Sequence, residues 1–261
     1  ICGLALALHY AHPKSRRFLF FVTPLILSGI LYDSMRYYAD FLRGEVKVAG
    51  PYLLEKSLFG LGAPRETPNE WWQRHTHISL DFLCGLAYLI FIFEYFALCI
   101  YLFFADHLRE LRVAAWSFFW VNFAGYATYY IYPAAPPWYV ALHGLGPAKM
   151  DTPANAAGAA RFDAIFGTEF FIGMYGKAAD VFGAIPSLHV SYPLLAFLLA
   201  LRIRRFRAFS FAFLILMCFS AVYLNHHYLI DVFLGLVYAG VVYGFVAWAY
   251  STRAINADKI Y

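Results

Sequence analysis

Long apolar runs separated by short polar, basic segments dominate the chain. Six of them, at about residues 18–42, 77–104, 113–132, 184–201, 208–225 and 227–250, are near the ~20 residues that cross a bilayer as a helix. They are too long for barrel strands and lack period-two alternation. Helices are then the spanning element, because a segment in lipid must satisfy its own backbone N–H and C=O groups. The pattern predicts an all-α membrane protein with six transmembrane helices. Residues 1–8 are apolar but too short to span alone, and they read as the end of a span or of a targeting segment.

Clustered Lys and Arg at 14–17, 109–112, 202–207 and 253–259 fall at alternate ends of the runs. Six crossings put all four clusters on one side, which the positive-inside rule makes the cytoplasm. Residues 43–76, residues 133–183 and the short link at His226 then face away from it. The first of these mixes Arg43, Lys47, Lys56, Arg65 and Arg74 with Glu45, Glu55, Glu66 and Glu70, which weakens the rule locally. The extramembrane loop 133–183 is too long to be a mere connection. Prolines 133, 136 and 137 stiffen its start. Trp138 and Tyr139 follow, either as interface anchors or as walls of a site.

Composition narrows the class. With 62% hydrophobic and 14% charged residues, the chain has too little polar surface for a soluble domain of 261 residues. Residues 1–261 therefore form a single integral membrane domain. The net charge of +4 is small, and no basic patch is interleaved with exposed aromatics, so nucleic acid is excluded as a partner. Cys2, Cys84, Cys99 and Cys218 lie in apolar runs without metal-ligand spacing and read as small buried hydrophobes.

Two short motifs carry candidate chemistry. In His227-Tyr228-Leu229-Ile230-Asp231 the His and Asp are four apart, hence on one face of a helix. The carboxylate would accept a hydrogen bond from one ring nitrogen and leave the other nucleophilic; alternatively the pair is structural, an ion pair or a helix-end cap. In Ala184-Ile185-Pro186-Ser187-Leu188-His189, proline suits a first helical turn. Ser187 and the amides after it would hold an anion, with His189 as proton donor. Otherwise this is an ordinary helix start with a stray histidine. The topology joins the two motifs, since both fall at the outer ends of their spans.

These segments, Pro186-Ser187-Leu188-His189 and His226-His227-Tyr228-x-x-Asp231, resemble the second and third signatures of the lipid phosphate phosphatase superfamily. More narrowly, the chain resembles the inositol phosphorylceramide synthase branch, of the aureobasidin-resistance type. Leu58-Phe59-Gly60, the Pro133–Tyr139 segment, Ala160-Arg161-Phe162-Asp163 and Phe182–His189 support this, in the family's order. The resemblance implies a six-helix fold of the lipid phosphate phosphatase type, with a catalytic core over about 113–250. It implies that His227 attacks phosphorus, Asp231 orients it, and His189 protonates the leaving alkoxide and then activates the acceptor. Ser187 and Arg161 are the expected phosphate grips, and Trp138, Tyr139 and Asp81 the further substrate-binding residues. Neither a metal nor a cofactor is implied. The partners are a phospholipid donor, a lipid alcohol acceptor and the bilayer. The site faces the non-cytoplasmic side, a bacterial periplasm or a Golgi-type lumen.

Two departures separate the chain from the phosphatases. It has no K-x6-R-P signature, and Ala221 stands where the third signature carries arginine. The synthase branch is similar in lacking both, which favours transfer of a phosphoryl headgroup over hydrolysis. A lipid phosphate phosphatase acting on phosphatidic-acid-like or isoprenoid phosphates is the alternative. A non-enzymatic transporter with a His/Asp proton relay is an alternative of another class, but its charges belong at mid-membrane rather than at the outer edge.

Overall fold

The computed structural model describes residues 13–257, and every regular element among them is helical. Residues 1–8, Cys2 and the end of the 253–259 basic cluster lie outside the described residues. The helices are α1 (Pro13–Leu42), α2 (Ala49–Phe59), α3 (Pro68–Arg74), α4 (Ile78–Phe104), α5 (Leu108–Ile131), α6 (Pro137–His143), α7 (Ala160–Phe166), α8 (Phe170–Tyr175), α9 (Leu188–Ile203), α10 (Arg207–Tyr223) and α11 (Leu229–Ala257).

Each of the six apolar runs coincides with one of the longer helices, α1, α4, α5, α9, α10 and α11. Two of these, over Ile78–Phe104 and Leu229–Ser251, are long and apolar enough to cross a bilayer by composition alone. Helices α9 and α10 have 16 and 17 residues. At 1.5 Å per residue they reach about 25 Å, a little short of a ~30 Å hydrocarbon core. Helix α9 is the hub: it packs on α4, α5, α10 and α11, while α1 packs on α5. Its Val190, Leu195, Ala196, Leu199 and Ala200 are wholly buried. The outward faces are as apolar as the core. Phe93 and Ile100 of α4, Phe209 and Ile215 of α10, and Val241 and Trp248 of α11 are all exposed. Apolar surface on that scale belongs in lipid rather than water.

Three helix starts differ from the pattern of runs. Helix α5 begins at Leu108, so Arg109 and Arg112 sit in its first turns rather than in a separate turn. Helix α9 begins at Leu188 rather than at 184. The residues before it are held in another conformation: Ala184 N–H bonds to Ala134 O, and Tyr129 Oη donates to Pro186 O at 2.9 Å. Helix α11 begins at Leu229, because the amides of His226 and His227 both turn back to Ala221 O at the end of α10.

Both long connecting segments are built rather than loose. Residues 43–76 hold α2 and α3, and residues 133–183 hold α6, α7 and α8. A capping box starts α3: Thr67 Oγ1 accepts the Glu70 amide, and Glu70 reaches back to the Thr67 amide. The isolated bridge Lys47–Ala134 ties the two segments together, and Ala134–Gly183 closes the second one at its ends. Asp33 and Arg36 form the local pair that their spacing of three suggests, at 2.8 Å. His77 caps α4 through Ser79 N, and the His75 ring stacks on Trp71.

Candidate active site

The two histidines meet at one end of the bundle. His189 sits in the first turn of α9, and His227 in the link between α10 and α11. His189 Nδ1 lies 3.0 Å from His227 Nε2. The other nitrogen of His227, Nδ1, lies 3.0 Å from Ala184 O and 3.6 Å from Asp231 Oδ2. A carbonyl only accepts, so Nδ1 carries the proton and Nε2 the lone pair. His189 Nδ1–H is then the donor between the rings.

This corrects one detail of the expected dyad. Asp231 is beside His227 but does not make its hydrogen bond; Ala184 O does. The cause is the helix start. With α11 beginning at Leu229, Asp231 Oδ2 accepts the Tyr228 amide at 2.8 Å, as an acidic residue in a first turn does. Its Oδ1 is buried without a hydrogen-bond partner. Asp231 is thus both a helix-end cap and a carboxyl group 3.6 Å from the His227 ring. Burial pushes the His227 imidazole down to about 4, against the bond to Ala184 O, which favours the charged ring. His226, also in the link, is shifted the same way, chiefly by burial.

Aromatic rings fix the remaining orientation. Tyr88 stacks on His189 at 4.8 Å, and Tyr175 stacks on His226 at 4.5 Å. His226 is also held by Ala156 O. Asn69 of α3 donates through Nδ2 to both Val222 O and His227 O, at 3.0 Å each.

His189, His226 and His227 open onto a cavity of about 430 Å³. Its roof comes from loop 133–183, including Pro136, Trp138, Asn155 and Asp180. Below the histidines it runs between α1, α4, α5 and α9, past Ser28, Gly29, Phe91, Phe96 and Phe118. No Lys or Arg is among the described residues that line it.

The other expected substrate residues are placed less uniformly. Trp138 lines the cavity; Tyr139 does not, being buried against Phe182 with its Oη accepting the Lys149 amide. Ser187 precedes α9, and its Oγ is buried with no hydrogen-bond partner, outside the cavity lining. Arg161 and Asp81 pair with each other. Arg161 also donates to Gln73 and to Tyr223 O, and Tyr223 Oη donates to Asp81 at 2.8 Å. That knot ties α7 to α3, α4 and the end of α10, away from the cavity. Sequence alone assigns no role to Asn69 and Tyr129, and Ala184 stands in the motif without its role as the acceptor for His227 Nδ1. Each acts through a tertiary bond to the backbone or ring of a motif residue, for which no local spacing gives a signal.

Comparison with known proteins identifies the family. The family model for the PAP2 superfamily matches residues 56–245. The chain is 39% identical over 244 residues to a phosphoinositol dihydroceramide synthase of Bacteroides thetaiotaomicron, covering 90% of this chain and 79% of that one. It is 30% identical to the inositol phosphorylceramide synthase catalytic subunit of Schizosaccharomyces pombe, covering 94% of this chain and 57% of the relative. With the Saccharomyces cerevisiae subunit it is 27% identical, covering 91% and 59%. The chain thus spans little more than half the length of these yeast relatives. No solved structure matches. With the match running from α2 to α11 and enclosing both histidines and Asp231, the chain belongs to the PAP2 superfamily.

Proposed function

We propose that the chain is a membrane phosphotransferase that moves inositol phosphate from phosphatidylinositol to a ceramide-like lipid alcohol, releasing diacylglycerol. The relatives' names support the substrate class. The observation that carries the reaction type is the His189–His227 contact opening onto a largely apolar cavity without a cationic wall. A phosphate monoester brings close to two negative charges, whereas a phosphodiester brings one. Among the described residues the lining carries no Lys or Arg, and its Asp180 is neutralised by Arg43 at 2.9 Å, so the wall suits the singly charged diester better than the monoester.

The donor phosphate enters between the rings and breaks their contact. His227 Nε2 attacks phosphorus, and the bond to the diacylglycerol oxygen breaks. His189, which enters the step as the imidazolium paired with the anionic donor, gives that oxygen its Nδ1 proton and is left neutral, with inositol phosphate covalently on His227. Asp231, at 3.6 Å, stabilises the charge gained by the ring. The acceptor hydroxyl then attacks phosphorus, loses its proton to His189, and the P–N bond breaks. Trp138 contacts the substrate in the cavity. Ser187 Oγ has no hydrogen-bond partner beside the α9 start, which supports its assignment to a phosphate oxygen although it does not line the cavity. Arg161, Asp81 and Tyr139 support the site from outside it.

The roof from loop 133–183 limits water above the histidines, and the cavity's lower end leads into the bilayer level of α1 and α4. Exclusion of water suppresses hydrolysis of a reactive intermediate. Purified protein is therefore expected to release diacylglycerol from phosphatidylinositol faster when a long-chain lipid alcohol is added. The matching inositol-phosphoryl lipid should form in equal amount. Phosphate release from phosphatidic acid, undiminished by added alcohol and with no transfer product, would make the chain a phosphatase instead.

In the same proposal α1, α4, α5, α9, α10 and α11 all cross the membrane, the catalytic core covers about 113–250, and the histidines face away from the cytoplasm. The motivation is the alternation of the four basic clusters. Cysteines introduced at Gly146 and at Arg205, both exposed, should react with an impermeant thiol reagent from opposite sides of the membrane. Labelling of both from one side would refute this topology.

A further inference from the structure

We infer that Glu55 is a positioning residue for His227, acting through the start of α11; the inference rests on the phosphohistidine reading above. Glu55 belongs to α2, outside the longer helices, and it is completely buried. Its Oε1 accepts the Leu229 amide at 3.0 Å, and its Oε2 the Ile230 amide at 3.2 Å. These are orphan amides of the first turn of α11. An ordinary helix start satisfies one with a Ser, Thr, Asp or Asn in the preceding position. Here that position is Tyr228, whose ring has no such reach.

The result is an unusual sharing of anionic caps. Asp231 takes the Tyr228 amide, and Glu55 takes the next two. Three consecutive peptide N–H groups immediately after His227 are held by carboxylates from two different helices. Asn69 of the neighbouring α3 holds the His227 carbonyl. Glu55 and Asn69 together grip the back of the catalytic link, on the side away from the His189 contact.

A carboxylate is a costly way to start a helix. Burial pushes the Glu55 carboxyl up, and Asp231 nearby adds to this, while the two amide bonds oppose it. A serine at 228 would cap α11 without that cost. What a local cap lacks is a tie between α11 and another element. Glu55 supplies that tie, locking the α2–α3 unit against the link. His227 then keeps Nδ1 on Ala184 O and Nε2 toward His189. A purely structural cap would serve stability; a positioning residue must also serve the chemical step.

Glu55→Ala and Glu55→Gln in the full chain separate these roles. Groups that orient a metal-bound histidine are worth about 10–100-fold in activity, and a group that orients a nucleophilic histidine is expected on the same scale. Glu55→Ala should lower kcat by roughly that much, with KM for both lipids within about threefold. Glu55→Gln keeps one acceptor oxygen and should recover a substantial part of the loss. In hydrogen–deuterium exchange, peptides covering 226–232 should exchange faster in Glu55→Ala, with those of α4 and α9 unchanged. Wild-type kcat in Glu55→Ala would overturn the inference. So would faster exchange throughout the bundle without recovery by Gln, since Glu55 would then serve the fold alone. If the wild-type chain hydrolyses phosphatidic acid and forms no inositol-phosphoryl lipid, the proposed function fails. The Glu55 comparison is then read on kcat for phosphate release.

Discussion

Replacing His227 with alanine should reduce turnover on the order of 10⁴-fold or more, the scale on which removal of a covalent nucleophile acts. His227 has the geometry for that role: its Nδ1–H is committed to Ala184 O, which leaves the Nε2 lone pair facing His189 at 3.0 Å. Burial keeps the ring neutral, so protonation should not remove the nucleophile until the pH falls toward about 4. His189→Ala should cost less, about 10²–10⁴-fold, and mostly in kcat, because it removes proton transfer rather than the covalent bond. A phosphorus-labelled donor should place acid-labile, base-stable label on the peptide holding His227. A donor with a good leaving group makes the contrast sharper. Its departure needs little protonation, while the acceptor step still needs a base, so label should accumulate on His227 in the His189→Ala protein. Full turnover by His227→Ala, or label on another residue, would end this mechanism.

Much of the architecture is legible in the sequence because bilayer-length apolar runs are a strong local signal. Each run lies on a long helix. Their ends are less legible where a tertiary bond overrides the run. Residues 184–187 are apolar enough to extend α9, but the tie to Ala134 and the Tyr129 bond to Pro186 hold them in another conformation. The pairing of His189 with His227 follows from both motifs falling at the same end of helices that pack together, α9 and α11. The partner of His227 Nδ1 does not follow, because Ala184 comes from a segment pinned by residues 134 and 182. The same holds for residues 43–76. As sequence they are a mixture of charges with no period, yet Glu55 and Asn69 end up buried on the catalytic link. Arg161 was legible as a motif residue, but its commitment to Asp81 depends on how α7 docks against α4.

The closest backbone approach near the site leads to the second large effect. Gly235 lies one turn beyond Asp231 on α11, and a Cβ there would sit 2.2 Å from Ser187 O and 3.1 Å from Ser187 C. Those are backbone atoms, so no side-chain rotation relieves the clash. The contact is also polar: Ser191 Oγ lies 3.0 Å from Ser187 O and 2.9 Å from Gly235 O. Ser187 N–H donates to Asp231 O at 3.0 Å. Helices α9 and α11 are thus joined backbone to backbone next to the first turn that carries His189 and the link that carries His227. Gly235→Ala must push these elements apart by about 1 Å to restore an ordinary carbon–oxygen contact. A displacement of that size in a reacting pair costs on the order of 10²-fold in rate. Gly235→Ala should therefore lower kcat by roughly 100-fold and lower the melting temperature, because the Ser191 and Ser187 bonds stretch together. Gly240→Ala and Gly244→Ala are the controls on the same helix. A Cβ at either meets nothing within 4 Å, and alanine is the better helix former. Both should keep wild-type activity with equal or greater stability. If Gly235→Ala matches them in kcat and melting temperature, the backbone contact is not what holds His189 against His227.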